Sequence, residues 1–116
     1  MSDPSCLFCR IVAGQIPADV LRETERTLAF RDIAPRAPTH LLLIPKEHIV
    51  SVADLGHEHA ELLTVLIQDA QQLARAEGSD ESGWRLIANV GPDSGREVFH
   101  LHLHLLGGRP LGALVG

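Results

Sequence analysis

Between Phe99 and Leu106 the chain reads Phe-His-Leu-His-Leu-His-Leu-Leu. The alternation has the two-residue period of a β-strand. It predicts that His100, His102 and His104 share one face, at steps of roughly 6.5 Å, while Leu101, Leu103 and Leu105 face the opposite side and are buried. A helix would scatter the imidazoles around its cylinder. Three imidazoles on one sheet face each need hydrogen-bond partners and titrate near neutral pH, which makes this stretch the candidate active site. A plain solvent face would be built from Thr, Lys, Glu or Ser instead. Three same-face positions in succession span too far for one zinc ion to use all of them, although one of the three can serve a metal.

The 116 residues carry a formal net charge of −5, with 45% apolar and 22% charged residues. That is globular composition, and it predicts one domain over residues 1–116, with a core at 5–109 and a C-terminal tail at 110–116. The acidic balance argues against a protein whose main work is holding nucleic acid, while leaving room for a small anion held by individual groups. No cationic segment leads into an apolar run, and nowhere do eighteen apolar residues occur together, so the expectation is a soluble, cytoplasmic protein without a membrane partner. Cys6 and Cys9 stand too close together to staple a fold and are read as a local pair with chemistry of its own.

Leu7, Phe8, Ile11 and Val12 are spaced for one face of a short helix ending near Gly14. Val20–Glu23 and Leu28–Arg31 read as a strand hairpin, and 32–38, with Pro35 and Pro38, as a loop. The run Leu41–Ile44 predicts a central strand covered on both faces. From Asp54 to Glu77 apolar residues recur every three to four positions, the mark of a long amphipathic helix, at whose start His57 and His59 are expected in solvent. Trp84–Val90 makes a further strand, and the glycine loop Gly91–Glu97 leads into the histidine strand. The predicted class is α+β: about five antiparallel strands, one short and one long helix, both on one face of the sheet.

The run His100-Leu101-His102-Leu103-His104-Leu105-Leu106 resembles the signature of the histidine triad (HIT) family, and Gly107-Gly108-Arg109 after it is similar to the Hint branch. The resemblance extends from Cys6 to Arg109. It implies a HIT-like fold and an enzyme that hydrolyses nucleotides at the α-phosphate through a nucleotidyl-histidine, with no catalytic metal. It makes His102 the nucleophile, its other ring nitrogen held by backbone of the facing or following strand. His104 becomes a donor to phosphoryl oxygen, and His40, in Ala37-Pro38-Thr39-His40, the fourth histidine. It also implies that Asn89, Gly95, Arg96, Glu97 and Val98 line phosphate and ribose, and that Asp32 and Ile33 meet the nucleoside of a purine nucleotide. A homodimer joined through the long helix and the strand near Trp84 follows by the same analogy.

Cys6-x-x-Cys9 supplies half of a tetrahedral zinc site. Bacterial HIT proteins with the same start imply His48 and His100 as the other ligands of a structural zinc; the alternative is a pair of reduced thiols. Two departures from the family bear on substrate choice. Glu97 stands where Hint-like proteins usually carry Ser; a carboxylate there donates a proton if its pKa is raised and repels phosphate if it is not. The tail Leu111-Gly-Ala-Leu-Val-Gly lacks the tryptophan-bearing end of eukaryotic Hint proteins. The favoured activity is cleavage of the P–N bond of purine nucleoside 5′-phosphoramidates. Its competitors are a dinucleoside polyphosphate hydrolase of Fhit type and a zinc-stabilised nucleotide-binding protein with little turnover.

Overall fold

In the computed structural model, residues 3–95 and 98–113 are described. Arg96 and Glu97, expected beside the phosphate, lie outside the described residues. Five strands form one antiparallel sheet: β1 (Val20–Glu23), β2 (Thr27–Arg31), β3 (Thr39–Pro45), β4 (Trp84–Ala88) and β5 (Leu103–Gly107), in the spatial order β1-β2-β3-β5-β4. Two helices accompany it, α1 (Leu7–Val12) and α2 (Ala60–Ala76). None of the described helices is long and apolar enough to cross a membrane.

β3 lies between β2 and β5, and Leu41–Ile44 are buried as their unbroken apolar run predicts; the burial extends to Thr39, His40 and Pro45 as well. Its side chains alternate between two cores. Leu41 and Leu43, with Leu101, Leu103 and Leu105, meet Leu62, Leu66, Ala70, Leu73 and Ala74 of α2. Leu42 and Ile44, with Leu28 and Phe30, meet Cys6, Phe8 and Cys9 of the α1 segment. The two helices therefore cover opposite faces of the sheet, which corrects the one-face expectation. The apolar residues on both sides of β2 and β3 require it, since each face needs its own cover.

The long helix also starts later than its periodicity suggests. Residues 52–54 and 57–59 form single 3₁₀ turns separated by extended backbone at Leu55 and Gly56, and α2 proper begins at Ala60. His59 is half-buried, not solvated, and its Nδ1 accepts the Gly56 N–H at 3.0 Å. His57 is exposed. α2 is tied to the β1–β2 hairpin by the buried Asp69, which accepts from Arg22 Nε at 2.6 Å and from the Thr27 hydroxyl at 2.7 Å.

The histidine strand is shorter than the alternation implies. Ladder pairing with β3 begins at the Leu43–Leu103 pair, so Phe99–His102 precede the strand. β3 ends in Pro45, which has no N–H to extend the ladder, and the Lys46 N–H goes to Arg26 O at 2.8 Å. The incoming chain pairs elsewhere, its Leu101 N–H donating to Ile49 O at 2.6 Å. His102 and His104 lie on the Leu42 face, and His100, packed against Cys6, Cys9 and Phe8 on that side, is 0% exposed.

Candidate functional site

Antiparallel registry sets His40 opposite Leu106 and Leu42 opposite His104, so His40 and His104 are diagonal neighbours on one face. Their rings meet, with His40 Nε2 2.9 Å from His104 Nδ1. His102 comes next, its ring centroid 5.1 Å from that of His104. The edge of Phe8 packs at 5.1 Å from the far side. These rings line a cleft of about 480 Å³, together with Asp32, Arg36, Asn89, Gly95 and Val98. Five residues expected at the site, Asp32, His40, Asn89, Gly95 and Val98, therefore share one cleft with His102 and His104. Ile33 does not line it and is fully solvent-exposed.

Backbone groups set the proton positions. His102 Nδ1 lies 2.7 Å from the His100 carbonyl oxygen, which can only accept, so Nδ1 carries the hydrogen and the lone pair sits on Nε2. The holding carbonyl belongs to the approach segment two residues upstream, not to the facing or following strand, because the chain leaves the ladder before Leu103. At the other end the Arg36 N–H donates to His40 Nδ1 at 3.0 Å, which puts the His40 hydrogen on Nε2. Nε2–H donates in turn to His104 Nδ1, with Asp32 Oδ2 at 3.4 Å. His104 thus keeps its own hydrogen on Nε2. The cleft presents one imidazole with a lone pair on Nε2 and, beside it, one with an N–H there.

Both rings of the pair are held neutral. Burial pushes His104 down to about 4, helped by His102 and His40 and opposed by Asp32. Burial also lowers His40, against the pull of Asp32 and with the Arg36 cation adding to the fall. An unfolded histidine binds a proton near pH 6.5, which folded His104 refuses until about 4, so its neutral form favours folding above 6.5 and that advantage shrinks as pH falls toward 4. Denaturant titrations at pH 7 and pH 5 should show the wild type losing roughly 1–2 kcal/mol more than His104→Asn. Equal losses would show that His104 does not titrate this way.

A second cluster sits directly behind His102. Cys6 and Cys9 Sγ lie 3.4 and 3.5 Å from His100 Nδ1, and Cys9 Sγ lies 3.2 Å from His48 Nδ1. His100 Nε2 donates to Pro45 O at 2.8 Å, so its Nδ1 lone pair is aimed at the sulfurs. Burial pushes the Cys9 thiol up. The four side chains offer one ligand atom each, all within 4.8 Å of one another, and could hold a metal ion. All four residues expected as ligands are thus gathered in one place.

Three features escaped sequence reasoning: Phe8 against His102, the Arg36 N–H on His40, and Asp32 beside the same ring. Asp32 stood out only as a nucleoside contact, and Phe8 only as an apolar helix position. A main-chain donor has no residue-type signal at all.

Comparison with known proteins identifies the family. The HIT domain family matches residues 13–111. The purine nucleoside phosphoramidase of Escherichia coli (strain K12) is 45% identical over 109 residues, covering 94% of this chain and 92% of that protein. The 14 kDa zinc-binding protein of Zea mays is 42% identical over 113 residues, covering 96% and 88%. Among solved structures, the HIT family hydrolase from Legionella pneumophila Philadelphia 1 superposes with a TM-score of 0.93 at 52% identity, covering 97% of this chain and 100% of that one. The chain therefore belongs to the HIT domain family and is a hydrolase of that type.

Proposed function

We propose that the protein hydrolyses purine nucleoside 5′-phosphoramidates, cleaving the P–N bond and releasing AMP or GMP. The observation that carries this reading is the pair of opposite proton positions in the cleft, a lone pair on His102 Nε2 beside an N–H on His104 Nε2. The His102 lone pair attacks the α-phosphorus and the P–N bond breaks, the leaving amine taking up a proton. Water then attacks the nucleotidyl-histidine, freeing the nucleotide and restoring the imidazole. The His104 N–H donates to a phosphoryl oxygen as charge builds there. Asn89, Gly95 and Val98, with Arg96 and Glu97, complete the phosphate and ribose subsite, and Asp32 accepts ribose hydroxyls. The E. coli relative named as a purine nucleoside phosphoramidase supports the choice of substrate.

The Cys6, Cys9, His48 and His100 cluster holds a structural zinc, in a chemistry that needs no catalytic metal. Tetrahedral bonds of about 2.3 Å to sulfur and 2.0–2.1 Å to nitrogen imply S···N edges of roughly 3.5 Å, and the edges here are 3.2 to 3.5 Å. The protein acts in the cytoplasm as one HIT domain, paired into a homodimer through α2 and the edge strand β4.

Incubation with adenosine 5′-phosphoramidate and, separately, with diadenosine polyphosphates tests the reading. Release of AMP is expected from the first at a kcat/KM at least about tenfold higher, a preference of roughly 1.4 kcal/mol in transition-state binding. The reverse order would favour a hydrolase of Fhit type, and binding without turnover of either a nucleotide-binding protein. Sedimentation of the same sample at the 12.6 kDa monomer mass would remove the dimer.

A further inference from the structure

The Gly107-Gly108-Arg109 turn is not among the described residues that line the cleft, yet it is laid against the loop whose Arg36 N–H meets His40. Gly107 closes β5 opposite Thr39. Gly108 has φ +91°, and a Cβ at that position would stand 2.8 Å from Pro38 Cβ, so the main chain here runs directly against the Pro38 ring. That approach needs glycine on both counts. It delivers the Arg109 guanidinium to two carbonyls: Nη2 donates to Arg36 O at 2.7 Å and Nη1 to Pro110 O at 2.8 Å.

The held residue matters because Arg36 is the one whose N–H donates to His40 Nδ1. Its loop is poor in donors of its own, since Pro35 and Pro38 have none and the Ala34 N–H is spent on Asp32 Oδ1 at 2.8 Å. One arm of the guanidinium holds the Arg36 carbonyl while the other is fixed on Pro110 O, so a charged donor tethers this loop to the turn after β5.

We propose that Arg109 is a positioning residue: by clamping the Arg36 backbone it keeps the Arg36 N–H on His40 Nδ1, and so fixes His40 and His104 as the tautomers that present an N–H to substrate. Its effect on rate rests on the phosphoramidase reading, while its effect on the rings does not. Release of the clamp lets the loop shift and His40 flip or exchange its proton, which removes the direction of the hydrogen bond to His104.

Imidazole 15N spectra of the zinc-loaded protein, recorded on wild type, Arg109→Ala, Arg109→Lys and Arg85→Ala, test this without any substrate. Wild type should give His40 and His104 resonances typical of hydrogen on Nε2. In Arg109→Ala the two nitrogens of each ring should move toward averaged shifts, with kcat down about tenfold to a hundredfold and KM changed less than about threefold. Arg109→Lys, with a single ammonium for the fork, should recover part of both. Arg85→Ala releases the Gly112 carbonyl, held at 2.6 Å, and leaves Arg36 alone, so its His40 and His104 ring signals should match wild type. Because Arg109 is exposed, its alanine variant should melt within about 4 °C of wild type, which separates positioning from unfolding. Wild-type ring signals in Arg109→Ala overturn the proposal whatever the rate does. Shifted signals in a protein that hydrolyses no phosphoramidate even as wild type support the clamp and count against the substrate instead.

Discussion

Replacing His102 by alanine should lower kcat on adenosine 5′-phosphoramidate by at least about 10⁴-fold while nucleotide affinity changes by less than about threefold. The asymmetry follows from what the side chain is asked to do. In the proposed mechanism it forms a bond that exists only along the reaction path, whereas the nucleotide would be held by the remaining lining of the cleft. Alanine also leaves a hole against Phe8, whose ring centroid lies 5.1 Å from that of His102, so His102→Asn is the companion variant. Its amide fills part of the space and keeps a donor for the His100 carbonyl. Both variants should be equally inactive and retain their zinc. Intact mass on a quenched reaction should show a nucleotidyl adduct on wild type and none on either variant. Turnover by His102→Ala at the wild-type rate would end the covalent mechanism, whatever bond is being cleaved.

Removing zinc should have the largest effect on stability. Chelation, or Cys9→Ser, is expected to lower the melting temperature by on the order of 10 °C or more, because a structural site of this kind contributes several kcal/mol of folding free energy. The four ligands come from the α1 segment, the stretch after β3 and the approach to β5, so without the ion they lose their common anchor. Metal analysis should give one zinc per chain in wild type and none in Cys9→Ser. At low temperature the chelated protein should still turn over within about tenfold of the loaded enzyme, since His100 would ligate through its side chain but meets His102 through its carbonyl. A chelated protein that melts like wild type would show the cluster to be a pair of reduced thiols with two neighbouring imidazoles. Complete loss of turnover in a chelated but folded protein would assign the ion a part in the chemistry.

The histidine–leucine alternation, the Cys-x-x-Cys spacing and the burial of Leu41–Ile44 in β3 were legible because each rests on local periodicity or on residue chemistry that survives any packing. From them follow the histidine strand, a central strand and half of a metal site; the remaining cleft residues and ligands, His48 and His100 among them, came from the resemblance to the HIT family. The sequence reading set both helices on one face of the sheet, but the structure sets α1 opposite α2, where Phe8 reaches His102, because a helix's local pattern carries no information about which sheet face it covers. It also overstated the strand. His100 shares the alternation with His102 and His104, but Pro45 ends the ladder and the side chain turns to the cysteines. The tautomers lay furthest from the sequence. They depend on the His100 carbonyl and the Arg36 N–H, groups that every residue of those types possesses and that acquire a role only through the partner the fold sets within 3 Å of them. Side-chain identity and spacing determined which imidazoles and thiols the protein has to work with. Only the tertiary structure decided which nitrogen of each ring carries the proton, because a hydrogen bond takes its direction from a partner distant in the chain.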